Sequence, residues 1–210
     1  DEFKVYSGVI TPEAVAEDWK NMEICFDGKD NNNDGEIDCV DDLCAFTPYC
    51  LGTIPTVANY RFETLENNVV VDETGNFNGE STRSDLLAQG HQGNGLQLQQ
   101  EREEYARIPS DVIDEAQITK IDLKFKTTAK DSSIFTVAGL ESDNELLPWI
   151  DPDGFLEMYF RGEAWKIPTT RWVNDDKWHT LSITLVGNYM KVLLDGRDYI
   201  HEFKASTPLN

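Results

Sequence analysis

Asp175-Asp176-Lys177-Trp178-His179-Thr180-Leu181-Ser182-Ile183-Thr184-Leu185-Val186, then Gly187-Asn188 and Met190-Lys191-Val192-Leu193-Leu194-Asp195-Gly196, is the stretch whose reading decides the fold. Leu181, Ile183 and Leu185 alternate with Ser182 and Thr184, and Met190, Val192 and Leu194 follow after the Gly-Asn pair. Successive side chains of a strand point to opposite faces, so this pattern describes strands with one apolar and one polar side. The same alternation recurs outward along the chain. Tyr60 and Phe62 alternate with Arg61 and Glu63, and Leu96 and Leu98 with glutamines. Ile121, Leu123 and Phe125 alternate with Asp122, Lys124 and Lys126, and Leu156, Met158 and Phe160 with Glu157, Tyr159 and Arg161. No helical period of comparable length interrupts Val57 to Lys204. The expected class is all-β, a two-sheet antiparallel sandwich with Phe62, Leu98, Leu123, Phe125, Met158, Phe160, Ile183 and Val192 inside.

The composition supports a folded chain: 210 residues, 40% hydrophobic and 10% aromatic, are enough for one sandwich and a small appendage. The net charge of −21, from 39 acidic and 18 basic residues, argues against nucleic acid as a partner. Such an excess repels itself unless cations bind or screen it. A divalent ion and the solvated acidic surface of a salt-tolerant protein both account for it. No stretch approaches the 18 or more apolar residues of a membrane span, so this fragment is not expected to insert into a membrane.

Four segments are expected: residues 1–22 with one short helix, a Cys-rich motif over 23–50, a linker over 51–56, and the sandwich over 57–210. Thr11 is a fitting N-cap, Pro12 suits the first helical position, and Glu13 faces the positive end of the dipole, with the helix running to about Met22. The four cysteines, Cys25, Cys39, Cys44 and Cys50, all fall in the second segment. An even number clustered among Gly, Asn and Asp reads as two disulfides formed in an oxidising compartment. A four-thiolate zinc site is the rival, but the spacings lack the paired C-x-x-C of zinc ribbons. Three connectivities are open, of which Cys25–Cys39 with Cys44–Cys50 is the simplest.

Within that segment Asp30-Asn31-Asn32-Asn33-Asp34-Gly35-Glu36-Ile37-Asp38-Cys39-Val40-Asp41 has the spacing of a calcium loop. On a twelve-residue template, oxygen side chains fall at positions 1, 3, 5, 9 and 12, and Gly35 falls at position 6, where the chain must turn sharply. Ile37 takes the apolar anchor position. The expected ligands of one Ca2+ are Asp30, Asn32, Asp34, Asp38 and Asp41 through side chains, and Glu36 through its carbonyl. Asp41 stands where a longer Glu is usual. Neither flank offers the amphipathic helices of an EF-hand. The run from Glu23 to Cys44 instead resembles the metal-binding repeat of secreted bacterial surface proteins, and is similar to the calcium-wrapped type 3 repeats of thrombospondins.

A second resemblance covers about 140 residues. Val57-Ala58-Asn59-Tyr60-Arg61-Phe62-Glu63, Val71-Asp72-Glu73-Thr74-Gly75-Asn76-Phe77-Asn78-Gly79, Gly90-His91-Gln92-Gly93-Asn94-Gly95-Leu96-Gln97-Leu98 and Tyr105-Ala106-Arg107-Ile108-Pro109 come first. The Asp175–Ile183 and Met190–Gly196 stretches follow in the same order. Together they resemble the laminin-G-like, concanavalin-A-like jelly rolls. The resemblance implies a jelly-roll sandwich with Trp178 in the core and His179 at a strand start. It leaves function open among sugar binding, protein adhesion and structural spacing. It also implies a second calcium at Glu63, Asp72 and Asn76, residues that equally suit the capping of Asx turns.

Trp149, Asp151, Asp153, Tyr159, Arg161 and Trp165 concentrate aromatic rings with carboxylate and guanidinium groups, a combination suited to sugar stacking and hydroxyl recognition. Glu141-Ser142-Asp143-Asn144-Glu145 matches the E-x-D-x-E triplet of retaining jelly-roll glycosidases. Its neighbours Gly139 and Pro148, and polar Ser142 and Asn144 between the acids, read as an exposed hairpin loop. The expected protein is therefore not an enzyme. It is a secreted or cell-surface, calcium-dependent adhesion module, part of a longer surface assembly, that binds a glycan or a surface protein. The alternative is a spacer of such an assembly.

Overall fold

The computed structural model describes residues 22–41, 43–52, 55–112, 118–137, 146–160, 162–169, 171–186 and 189–203. The helix expected from Pro12 (except its last residue, Met22), the 141–145 triplet and Arg161 lie outside them. The chain divides into two compact units, Asp1–Thr53 and Ile54–Asn210. Among the described residues no helix is long and apolar enough to cross a membrane.

In the second unit the strands are β1 (Val69–Val70), β2 (Gly79–Ser81), β3 (Leu87–Gln89), β4 (Asn94–Leu96), β5 (Ala106–Arg107), β6 (Ile118–Phe125), β7 (Ser132–Ser133), β8 (Leu146–Ile150), β9 (Leu156–Phe160), β10 (Glu163–Lys166), β11 (His179–Val186), β12 (Tyr189–Leu194) and β13 (Arg197–Glu202). All the strand pairings are antiparallel. One four-stranded sheet has the order β10-β9-β8-β7 and another β13-β12-β11-β6. Their inner faces meet in one core, as in a jelly-roll sandwich. Leu146, Ile150, Leu156, Met158 and Phe160 come from the first sheet, and Leu181, Ile183, Leu185, Met190, Val192 and Leu194 from the second.

The register explains this core. Leu146 pairs with Phe160 and Ile150 with Leu156 across β8 and β9. Ile183 pairs with Val192 and Leu185 with Met190 across β11 and β12. Period-two alternation thus stacks each apolar set on one side. Asp195 and Gly196, at φ 49° and 79°, join β12 to β13. Two left-handed residues in a two-residue turn match the twist of a hairpin, which is why Asp-Gly stands there.

Residues 57–112 add less to this core than expected. They form a three-stranded sheet, β1-β2-β5, and the β3-β4 hairpin. A separate small cluster centres on Leu65, Val70 and Leu86, with Tyr60, Phe62 and Leu96 packed against it. Leu98, expected inside, is 45% exposed, because β4 ends at Leu96 and the alternation ends with it.

Trp178 is also corrected. It is 38% exposed while His179 is buried. His179 is opposite Phe125 in the register, on the same face as Leu181 and Ile183, so the preceding residue must point outward.

In the first unit Cys25 bonds Cys44 and Cys39 bonds Cys50, with Cα–Cα distances of 5.3 and 5.1 Å. The connectivity is interleaved and not the nearest-neighbour one. Turns at Asp41–Ala45 and Cys44–Thr47 lead into a single helical turn, α1 (Pro48–Leu51). That backbone carries Cys44 and Cys50 to separate partners. Loops of 19 and 11 residues closed in this way are worth about 3 kcal/mol each by chain entropy.

Met158→Ala and Ile183→Ala should each destabilise the sandwich by about 2–5 kcal/mol in urea unfolding. Trp178→Ala should cost under about 1.5 kcal/mol. An equal loss in all three would place Trp178 back in the core.

Candidate metal loop and ligand faces

Residues 23–50 carry eight carboxylates and one cation, Lys29. The backbone turns sharply at Gly35, at φ 98°, a conformation that side chains resist. Around this turn Gly35 N donates to Asp30 Oδ2 at 3.0 Å and Glu36 N to Asp34 Oδ1 at 2.9 Å. The Asn32 amide nitrogen donates to Asp34 Oδ2 and to Asp41 Oδ2, both at 2.8 Å. Asp30 Oδ1 is buried with no hydrogen-bond partner.

Asp30, Asn32, Asp34 and Asp41 thus lie around one turn. Asp38 does not join them. Its carboxylate accepts the amides of Asp27 (3.1 Å) and Gly28 (3.0 Å), closing the turn before the loop. Glu23 accepts the amides of Asn31 (2.7 Å) and Asp38 (3.1 Å). Ile37, the expected anchor, is 46% exposed, so it anchors nothing in a core.

Among the described residues no three His, Cys, Asp or Glu side chains converge as a metal cluster. The chemistry of the donor set nevertheless fits a hard cation, since all four groups carry oxygens. Two carboxylates about 5 Å apart repel by about 3 kcal/mol at an effective dielectric near 20. Here the positive edge of the Asn32 amide lies between two of them. A cation would serve that purpose better, with the Asn32 amide turned to present its oxygen.

The proposed second calcium residues have other engagements. Asp72, buried, accepts the amides of Asn59, Thr74, Asn76 and Phe77 and the Thr74 hydroxyl, at 2.5–3.2 Å. Burial pushes its carboxyl up, but these donors outweigh it and hold the group well below the usual carboxylate range. Glu63 instead accepts the amide of Asn94 at the β3-β4 turn (3.1 Å). Asn76 is exposed. Of the two readings open in the sequence, turn capping describes what Asp72 does.

The aromatic face expected around Trp149 is divided by the register. Trp149 pairs with Glu157, and Leu147 with Tyr159, on the outer side of the β8-β9 ladder. Trp165 pairs with Met158 on the inner side and stacks on His201 at 4.8 Å between ring centroids. Asp151 is buried and binds Lys166 at 2.5 Å and the amides of Asp153 and Phe155 at 2.9 Å. It serves as a structural ion pair. Asp153 is exposed at the turn.

The sequence reading did not identify a groove of about 450 Å³ lined by Arg171, Trp172, Asp175, Lys177, Trp178, His179 and Asp195. His179 is its buried corner, with Nδ1 2.7 Å from Asp195 Oδ2 and Nε2 3.0 Å from Asp175 Oδ1. Asp175 is pulled down to about 2, first by the Lys177 ammonium at 2.7 Å, with burial opposing and His179 adding to the effect. Extending the alternation of Leu181 and Ile183 back by two residues puts His179 inside and Trp178 outside. That was the signal available.

No protein-family model matches the chain, and no curated protein does. Among solved structures it is similar to the mouse laminin alpha1 chain, domains LG4-5, at 19% identity and a TM-score of 0.39. The match covers 44% of this chain and 25% of that one.

Asp72 and Asp175 are both ionised more readily folded than unfolded, so the stability they contribute is present above about pH 4 and lost as pH falls below it. Urea midpoints should drop between pH 5 and pH 2. Asp72→Asn should be less stable at pH 5 and show a shallower drop. An unchanged slope in the variant would remove Asp72 from the account.

Proposed function

We propose that the chain is an extracellular, calcium-binding recognition module that holds a surface glycan or surface protein and performs no catalysis. The observation that carries the calcium part is the arrangement of the stapled loop. Asp30 Oδ1 is buried without a partner, and Asp34 and Asp41 are bridged by the amide of Asn32. Asp30, Asn32, Asp34 and Asp41 would hold the ion, with the Glu36 carbonyl added, and Asp38 would act by closing the preceding turn. Bound there, calcium would offset the repulsion of the carboxylates and tighten a segment too small for a core of its own.

Two disulfides favour an oxidising compartment, hence secretion or display at the cell surface. The recognition part is supported by exposed aromatic side chains beside fixed charges on the sandwich, Trp172 and Trp178 among them.

Titration calorimetry should give one calcium site in the wild type, weakened at least about tenfold in Asp34→Ala and in Asp30→Asn. Asp38→Asn should weaken it less. Reducing both disulfides should abolish the site. Equal binding in wild type and Asp34→Ala would put the ion elsewhere. Calcium-dependent adhesion to glycan arrays and intact cells tests the rest; a module that takes up calcium yet adheres to none of them is a spacer.

A further inference from the structure

We infer that the groove holding Trp172 and Trp178 is a carbohydrate site whose ligand is a pyranose oligosaccharide stacked on the two indoles. This rests on the recognition reading above and assigns it a place and a ligand class.

Trp172 is 62% exposed and Trp178 38%, in one groove of about 450 Å³. Indoles are the largest apolar side chains, and leaving two exposed in one groove forgoes burial that the fold obtains elsewhere. A loose loop does not explain the exposure. Val173, next to Trp172, is fully buried, and its amide donates to Gly154 O at 2.9 Å. The amide of Asp176 donates to Thr127 O at 3.2 Å. Trp178 rests edge-on against His91, with ring centroids 5.8 Å apart.

The rim is equally fixed. Asp195 accepts the Thr180 amide at 2.9 Å and meets His179, which on its other nitrogen meets Asp175. Two carboxylates from separate turns are thereby held at the groove in a set geometry. Arg171 brings a guanidinium with no carboxylate partner among the described residues, in a chain of net charge −21.

The groove therefore offers apolar planes flanked within the same small volume by fixed acceptors and donors. An aliphatic or aromatic peptide anchor would bury the Arg171 guanidinium without a partner, at a cost. A pyranose ring has a face of C–H groups for the indole and hydroxyls at its edge that both donate and accept. Because the rim is already tied in place, little ordering cost is added on binding.

The test uses the whole 210-residue chain and the indole N–H signals of its five tryptophans in heteronuclear NMR. Cellohexaose, chitohexaose and mannohexaose are titrated to millimolar concentration with calcium present. At least one should shift the Trp172 and Trp178 indoles saturably while Trp149 and Trp165 stay unmoved. Trp172→Ala should weaken that affinity about tenfold. Trp172→Phe should retain part of it, and Trp149→Ala all of it, with unfolding midpoints showing that each variant folds. If no sugar moves the groove indoles, or if Trp172→Ala binds as the wild type does, the assignment is overturned. Calcium-dependent adhesion to cells under those same outcomes would leave the recognition reading standing. Its absence would remove both.

Discussion

Leu146, Met158 and Phe160 on one sheet packed with Ile183, Met190 and Val192 on the other is the contact from which the second unit is built. All six are 1% exposed or less. Each side chain is worth about 1.5–3 kcal/mol when fully buried, and their alternation leaves one face of each strand for other uses. Phe203 closes the edge, meeting the Phe160 ring at 5.2 Å and the His201 ring at 4.6 Å. This constraint decides which aromatic residues are available to a ligand. Trp165 belongs to the inner register and packs onto the core. Trp149 and Tyr159, on the outer register, do not.

Much of this was legible in the sequence because alternation is a local property. Leu156, Met158 and Phe160, like Leu181, Ile183 and Leu185, needed only their spacing to be assigned inward, and the structure buries all six. What was not legible depended on where a strand begins or ends. Leu98 continues the pattern of Leu96, but the ladder stops between them. Trp178 precedes a strand whose first inward residue is His179, a polar side chain that two carboxylates make tolerable inside. The resemblance pointed to the tryptophan, while register chose the histidine.

The cysteine pairing failed for a different reason. Sequence separation ranks partners by loop entropy, which varies slowly with length, so a few hydrogen bonds can overrule it. Here Cys44 and Ala45 donate to Asp41 O at 3.1 and 2.8 Å, and Thr47 to Cys44 O at 2.9 Å. That short run of turns crosses the two bridges. A segment whose buried apolar residues, among the described ones, are Cys44 and Ala45 depends on such staples.

A net charge of −21 invites a metal at every acidic cluster, yet most of the acids singled out by spacing are occupied by backbone amides. Asp72 takes four amides and a hydroxyl, Asp151 two amides and a lysine, and Asp38 the amides of a turn. A carboxylate already accepting several N–H groups stabilises a turn by itself, and drawing it to an ion would leave those amides unpaired. The carboxylates able to receive a cation would be the ones with an oxygen that neither a backbone amide nor a cationic side chain already holds. In the stapled loop that criterion separates Asp30 from Asp38, two residues that spacing alone makes equivalent.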